Sequence, residues 1–192
     1  DRACLITFDD GLRQQYTKAL PILQKRKIPA AFFVNGLPYD QHRVLEVHKI
    51  HWCRAHLPPD VFLEKLKKHY ALLTGQRFDI NKFQINDEQL KNHYQYDEPE
   101  TARLKFILNK DLIEPEVKEK IMNAIFSELV PDEPEFCRSF YMTREQINHL
   151  FELGYLGIHT YSHKPLATLS PEACKREIQE CLRVLTEVVE TP

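Results

Sequence analysis

The chain has 192 residues and a formal net charge of −2, and 43% of its residues are hydrophobic, a balance typical of a globular protein. This charge gives no reason to expect nucleic acid or an anionic membrane surface as a partner. No apolar run is long enough for a transmembrane segment.

The chain opens with a strand, a helix and a second strand. The apolar run Ala3–Phe8 ends at the turn that begins with Asp9 and predicts a buried strand. A helix in two parts follows over Gln14–Lys27, with Pro21 at the first position of its second part. Ala30–Val34 is a second apolar run, stopped by Asn-Gly. Strand, helix and strand in this order indicate an α/β fold with a parallel sheet.

A helical region interrupts this alternation. Apolar residues recur at helical spacing before Gly75, a predicted C-cap, and again over Val117–Leu129, with a shorter helix predicted at Thr101–Leu108. No convincing strand pattern occurs here. We therefore expect three segments: residues 1–36 and 141–192 form the α/β part, and residues 37–140 form an inserted all-helical subdomain.

The α/β alternation returns after this region. Thr143 and Gln146 predict a capping box at the start of a helix, and Tyr155–Ile158 predicts a third strand. Ser170 caps the last helix. Its expected apolar face consists of Cys174, Ile178, Cys181, Leu182, Leu185, Val188 and Val189.

Candidate catalytic groups follow two of the three predicted strands. Asp9 and Asp10 come directly after the first strand, at its carboxyl end, where α/β folds form ligand sites. Adjacent carboxylates repel each other, and a metal ion would stabilise both charges. An ordinary Asp-Gly turn is the alternative interpretation of this dipeptide.

An imidazole pair follows the third strand. His159 and His163 lie four positions apart, so a helix-like turn brings both within reach of one ion. Together with one aspartate they make a three-ligand site with open positions, the pattern of catalytic zinc. Such an ion lowers the pKa of its bound water, which becomes the nucleophile, while a second carboxylate serves as base. If the two segments meet, these residue types predict hydrolysis of an amide or ester.

Both segments resemble the motifs of one family. Thr7-Phe8-Asp9-Asp10-Gly11 is similar to the first motif of the polysaccharide deacetylases, the NodB-homology domain of carbohydrate esterase family four. His159-Thr160-Tyr161-Ser162-His163 resembles their second motif, His-Ser/Thr-x-x-His. The sequence around each motif, Ala3–Asn35 and Tyr141–Val189, also resembles that of the family. The two motifs in order make this resemblance specific.

The resemblance implies a role for each motif residue. Asp9 would be the general base, and Asp10, His159 and His163 would bind one divalent metal ion, zinc first, with cobalt or another ion as an alternative. Thr160 would support the loop by hydrogen bonding. The implied fold is α/β, a deformed, TIM-like (β/α) barrel that is incomplete in this chain.

The implied function is metal-dependent hydrolysis of N-acetyl groups on the amino sugars of a polysaccharide, part of carbohydrate metabolism. The partner would be an N-acetylated glycan or oligosaccharide. Two alternatives stay open: a hydrolase of other non-peptide C–N bonds on the same fold, and a non-catalytic glycan-binding or scaffold relative. The family's later motifs, an Arg-x-Pro-Tyr type segment and a late histidine, are absent from this sequence, and we expect it to be a piece of a longer chain.

The cysteines bear on the cellular compartment. Cys4, Cys53, Cys137, Cys174 and Cys181 are odd in number and include no Cys-x-x-Cys pair. This pattern argues against a disulfide framework and a thiolate zinc site. Free thiols favour the cytoplasm, where thiols are kept reduced, but they do not fix the compartment. The sequence gives no prediction of the oligomeric state.

Overall fold

A computed structural model describes residues 3–83, 85–110 and 112–189, without the side chains of Asp87, Gln89 and His93. These residues form a mixed α/β structure, mostly helical, with one three-stranded parallel sheet in the order β1-β2-β3. They pack as two compact units. One contains the described residues up to Leu45 and from Asp132 onwards, and the other is Glu46–Pro131.

The sheet belongs to the first unit. Its strands are β1 (Ile6–Phe8), β2 (Ala30–Val34) and β3 (Leu156–Ile158), with Phe8 opposite Phe32 and Phe33 opposite Gly157. Burial is deepest in the central strand, where Phe32 and Val34 are fully buried. All three strands therefore point their carboxyl ends to the same edge.

Short helices connect these strands. A π-helical segment, Gln15–Ala19, leads directly into the first α-helix. The helices of this unit are α1 (Leu20–Lys25), α2 (Leu37–Asp40), α8 (Glu133–Phe140), α9 (Arg144–Glu152) and α10 (Pro171–Val188). The predicted capping box of Thr143 and Gln146 is confirmed, as is the Ser170 cap.

The described residues of the second unit form helices joined by loops and contain no strand. Its helices are α3 (Glu46–His56), α4 (Pro59–Thr74), α5 (Asp87–His93), α6 (Pro99–Asn109) and α7 (Pro115–Leu129). Gly75 ends α4 with a φ of 69°, the left-handed C-cap predicted from the sequence. Its core includes the buried side chains of Phe62, Leu66, Ile107, Met122 and Ile125.

The first unit ties together the residues at which the chain leaves and re-enters it. The Val44 amide donates to Glu133 Oε1 at 2.8 Å, and the Leu45 amide donates to the Tyr141 hydroxyl at 3.1 Å. Both bonds lie within this unit. The segment boundaries predicted at residues 36/37 and 140/141 stay a prediction.

Three further predictions concern the cysteines, the apolar face of the last helix and transmembrane segments. The five cysteines, all of them among the described residues, form no disulfide, and Cys53, Cys137 and Cys181 are buried. On α10 the predicted apolar face is wrong in part: Ile178 and Leu182 are 42% and 55% exposed. Within the described residues, the helices are too short or too polar to cross a bilayer.

Candidate metal centre

The candidate ligands meet at the carboxyl edge of the sheet. Asp10 follows β1, and His159 and His163 follow β3, with β2 between these strands. Asp10 Oδ1 lies 3.3 Å from His163 Nε2 and 3.6 Å from His159 Nε2. Their ligand atoms all lie within 4.8 Å of one another. The structure thus brings Asp10 to two histidines that lie about 150 positions further along the sequence.

This spacing fits a tetrahedral ion. With ligand bonds of about 2.0–2.1 Å, two ligands of a tetrahedral zinc stand about 3.3–3.4 Å apart. The two distances from Asp10 Oδ1 agree with that separation within a few tenths of an ångström. Each side chain is partly exposed, at 19% for Asp10 and 32% and 33% for the two histidines. One carboxylate and two imidazoles on an accessible edge fit a divalent metal with room for further ligands.

Left-handed backbone concentrates in the two ligand loops. Asp10, Thr160 and His163 have φ values of 75°, 64° and 63°, and Gly11 has a φ of 65°. This conformation is uncommon and costs free energy for residues other than glycine. Backbone held in such a state by its surroundings is typical of functional sites.

Backbone hydrogen bonds fix the loop after β3 against β2. The His159 amide donates to the Val34 carbonyl at 2.8 Å, and the Gly36 and Leu37 amides donate to Thr160 and Tyr161. Thr160 Oγ1 accepts a bond from the His163 amide at 3.2 Å. These bonds set the turn that brings both imidazoles to one side.

Asn35 is a site residue that the sequence interpretation did not single out. Its side chain is fully buried, and Nδ2 donates to the carbonyl oxygens of His159 and Thr160. Its Oδ1 is buried and has no hydrogen-bond partner. The signal was available, since Asn35 follows β2 just as Asp9 follows β1 and His159 follows β3.

Glu177 of α10 is the second residue that was missed. Its carboxylate accepts two hydrogen bonds from Ser162, one from the amide at 2.8 Å and one from Oγ at 2.6 Å. Ser162 is the residue directly before His163. Nothing local in the sequence of α10 marks this contact, because it depends on where the helix packs.

A third contact anchors the loop through Tyr161. Its hydroxyl donates to Asp40 Oδ2 at 2.6 Å, and Arg183 approaches Asp40 Oδ1 at 3.3 Å. The Tyr161 hydrogen bond, followed by Arg183, lowers the pKa of Asp40. Partial burial and the bond to Asp40 raise the pKa of Tyr161 to about 12. Tyr161 is thus a neutral donor to an ionised carboxylate.

The loop after β1 is held by the segment between α8 and α9. The Met142 amide donates to the Gly11 carbonyl at 2.9 Å, and Arg13 Nε donates to the Tyr141 carbonyl at 3.1 Å. Burial raises the pKa of the Tyr141 phenol well above its usual value, and the charge of Asp10 raises it further. Tyr141 therefore stays a neutral phenol beside the ligand loop.

Asp9, the expected general base, directly follows β1 and precedes Asp10. Its residue is exposed, and its carbonyl accepts a hydrogen bond from Gln15 Nε2 at 2.5 Å. Gln15 is the first residue of the π-helical segment, a distortion often found at functional sites. Asp9 is thus positioned by its own loop and available to solvent.

The comparisons with known proteins give one finding. Residues 1–69 match the model of the polysaccharide deacetylase family, a range that contains Asp9 and Asp10 but neither His159 nor His163. No curated protein and no solved structure gives a significant match. The predicted resemblance to the polysaccharide deacetylases is therefore confirmed over residues 1–69, which include the first motif.

Proposed function

We propose that this protein is a metal-dependent deacetylase that hydrolyses N-acetyl groups on the amino sugars of a polysaccharide. The observation that supports the proposal most directly is the approach of Asp10 Oδ1 to the Nε2 atoms of His159 and His163, at 3.6 and 3.3 Å. The family match over residues 1–69 supports the same chemistry. The proposal includes zinc as the metal, with cobalt or another divalent ion as a substitute, and a deformed (β/α) barrel as the complete fold.

Each of the candidate site residues has a separate role. Asp10, His159 and His163 would hold the ion, and Thr160 would brace the turn between the histidines. A divalent ion in this place supplies charge that polarises an amide carbonyl and acidifies water. Asp9 is the general base: it takes a proton from the water that attacks the acetyl carbon. The C–N bond then breaks, acetate leaves, and the proton held by Asp9 is available to the departing amine.

Geometry favours this division between the two aspartates. Asp10 is the less exposed of the pair and has its carboxylate directed at both imidazoles. Asp9 is exposed, so substrate and water reach it from solvent. An Asp-Gly turn alone would not bring a carboxylate oxygen within 4 Å of two histidines.

The test is acetate release from N-acetylated chito-oligosaccharides by the full protein loaded with zinc or cobalt. We expect release, and we expect Asp9→Asn to lower the rate by about 10²–10⁴-fold while metal binding persists. Metal bound without acetate release would refute the sugar deacetylase proposal and favour a hydrolase of other C–N bonds. If the protein binds no metal and releases no acetate, the result would favour a glycan-binding or scaffold relative.

A matched pair of histidine variants tests the ligand set. His163 and His42 both have left-handed backbone, with φ values of 63° and 53°, and asparagine tolerates that conformation. His163→Asn should therefore remove a ligand without adding backbone strain. We expect it to abolish stoichiometric zinc, whereas His42→Asn, at an exposed position outside the ligand set, should leave zinc content unchanged.

A further inference from the structure

The loop that runs from His159 to His163 is held from two directions by side chains of other elements. Asn35 donates from β2's end to the carbonyls of His159 and Thr160. Glu177 accepts from the amide and hydroxyl of Ser162. One brace acts at the start of the loop and the other directly before His163.

We propose that Asn35 and Glu177 are positioning residues that keep His159 and His163 at metal-binding separation. The inference rests on the proposed function, since it assumes that these histidines are ligands. It goes beyond that function because it assigns roles to two residues outside both motifs.

The bonding pattern explains why each residue type is needed. At Asn35 two carbonyl oxygens converge on one buried amide nitrogen, so the site requires a donor without charge. At Glu177 the amide and the hydroxyl of Ser162 converge on one side-chain head group, so the site requires a side chain that reaches both, with at least one oxygen to accept from the amide.

The backbone of the loop makes these braces necessary. Thr160 and His163 are held with φ values of 64° and 63°, a conformation that an unsupported loop would leave for a commoner one. Relaxation of either residue would turn an imidazole away from Asp10. Residues that orient metal ligands by hydrogen bonding typically contribute about 10–100-fold in metal affinity.

Glu177 gives the cleaner experiment because it is half-buried on a helix surface, whereas a change at the fully buried Asn35 risks the fold. The measurement is the zinc dissociation constant of the full protein, determined by competition with a chromophoric chelator. We expect Glu177→Ala to raise that constant by about 10–100-fold. We expect Glu177→Gln to recover most of the affinity, because its amide can accept from the Ser162 amide and donate to the hydroxyl.

The control removes a neighbouring carboxylate from the same helix. Glu180 is exposed and pairs with Arg183 at 2.8 Å, and Glu180→Ala should leave zinc affinity unchanged. A second readout is the visible absorption of bound Co²⁺, which reports ligand geometry and should change in Glu177→Ala but not in Glu180→Ala. Unfolding temperatures of the metal-free variants show whether any loss is merely structural.

The outcomes separate this inference from the proposed function. If wild type binds zinc and Glu177→Ala binds it equally well with the same Co²⁺ spectrum, the inference is overturned and the proposed function stands. If Glu177→Gln binds zinc as weakly as Glu177→Ala, the loss of affinity comes from the lost charge and not from the position of the loop, and the inference is also overturned. If wild type binds neither zinc nor cobalt, both proposals fall.

Discussion

Gly157 offers a direct test of how the sheet supports the proposed metal site. It lies on β3 opposite Phe33 of β2, and a Cβ added to it would stand 2.6 and 2.7 Å from two carbons of the Phe33 ring. Ordinary contacts begin at 3.4 Å, so the ring must move from 2.6 Å to at least that distance. Gly157→Ala should therefore force the Phe33 ring out of its position.

The expected cost follows from overpacking. Inserting a methyl group where the neighbour must move costs about 1–3 kcal/mol. For a chain of this size each kcal/mol lowers the unfolding temperature by about 2–4 °C, so we expect a loss of about 2–12 °C. The Phe33 ring also stands beside the His159 imidazole, with centroids 6.5 Å apart. Zinc affinity should fall together with stability.

Thermal unfolding followed by circular dichroism, with and without Phe33→Leu, is the assay. Phe33→Leu removes the ring carbons that the new methyl group would meet, so the double variant should be more stable than Gly157→Ala alone. Gly154→Ala is the comparison: a Cβ there meets nothing within 4 Å, but the φ of 69° strains alanine. The stability lost in Gly154→Ala should not be recovered by Phe33→Leu. This reasoning would be refuted if Gly157→Ala were as stable as wild type, or if adding Phe33→Leu recovered none of the lost stability.

Two further predictions concern residues that support the same unit. The Tyr161 hydroxyl, with Arg183, holds the pKa of Asp40 below its usual 3.8, so this contribution to stability is complete above that pH and is lost as pH falls through the lower folded value. In urea unfolding of metal-free protein between neutral pH and about pH 2, Tyr161→Phe should therefore show a shallower acid loss than wild type, and an equal loss would contradict the assignment. Thr143→Ala removes the capping box of α9 and should lower the free energy of unfolding by about 1 kcal/mol, with Thr143→Ser close to wild type.

Much of the fold could be predicted because its signals are local. Ala30–Val34 is a strand with the predicted bounds, whereas the predicted Ala3–Phe8 shortens to Ile6–Phe8. The predicted helix over Gln14–Lys27 begins as a π-helical segment, which hydrophobic periodicity does not distinguish from an α-helix. The end of α4 at Gly75 could be predicted because glycine adopts the left-handed C-cap conformation without steric cost.

What escaped prediction depends on packing between distant segments. On α10 the buried stripe runs through Cys181, Val184, Leu185 and Val188. Ile178 and Leu182 lie at the rim of that stripe, which apolar character alone does not reveal. The candidate site shows the same division. The meeting of Asp10 with the histidines follows from the strand-end rule, whereas the bond of Glu177 to Ser162 requires knowledge of where a helix lies.

The closeness of Val44 to Glu133 has a consequence for how such a chain can change in length. The 2.8 Å hydrogen bond means that the chain departs from the sheet-containing unit and returns to it at nearly the same point. All three candidate ligands are on the outer sides of that junction in the sequence, at positions 10, 159 and 163. We therefore expect a change in the length of residues 46–131 to leave the three candidate ligands together on the sheet-containing unit.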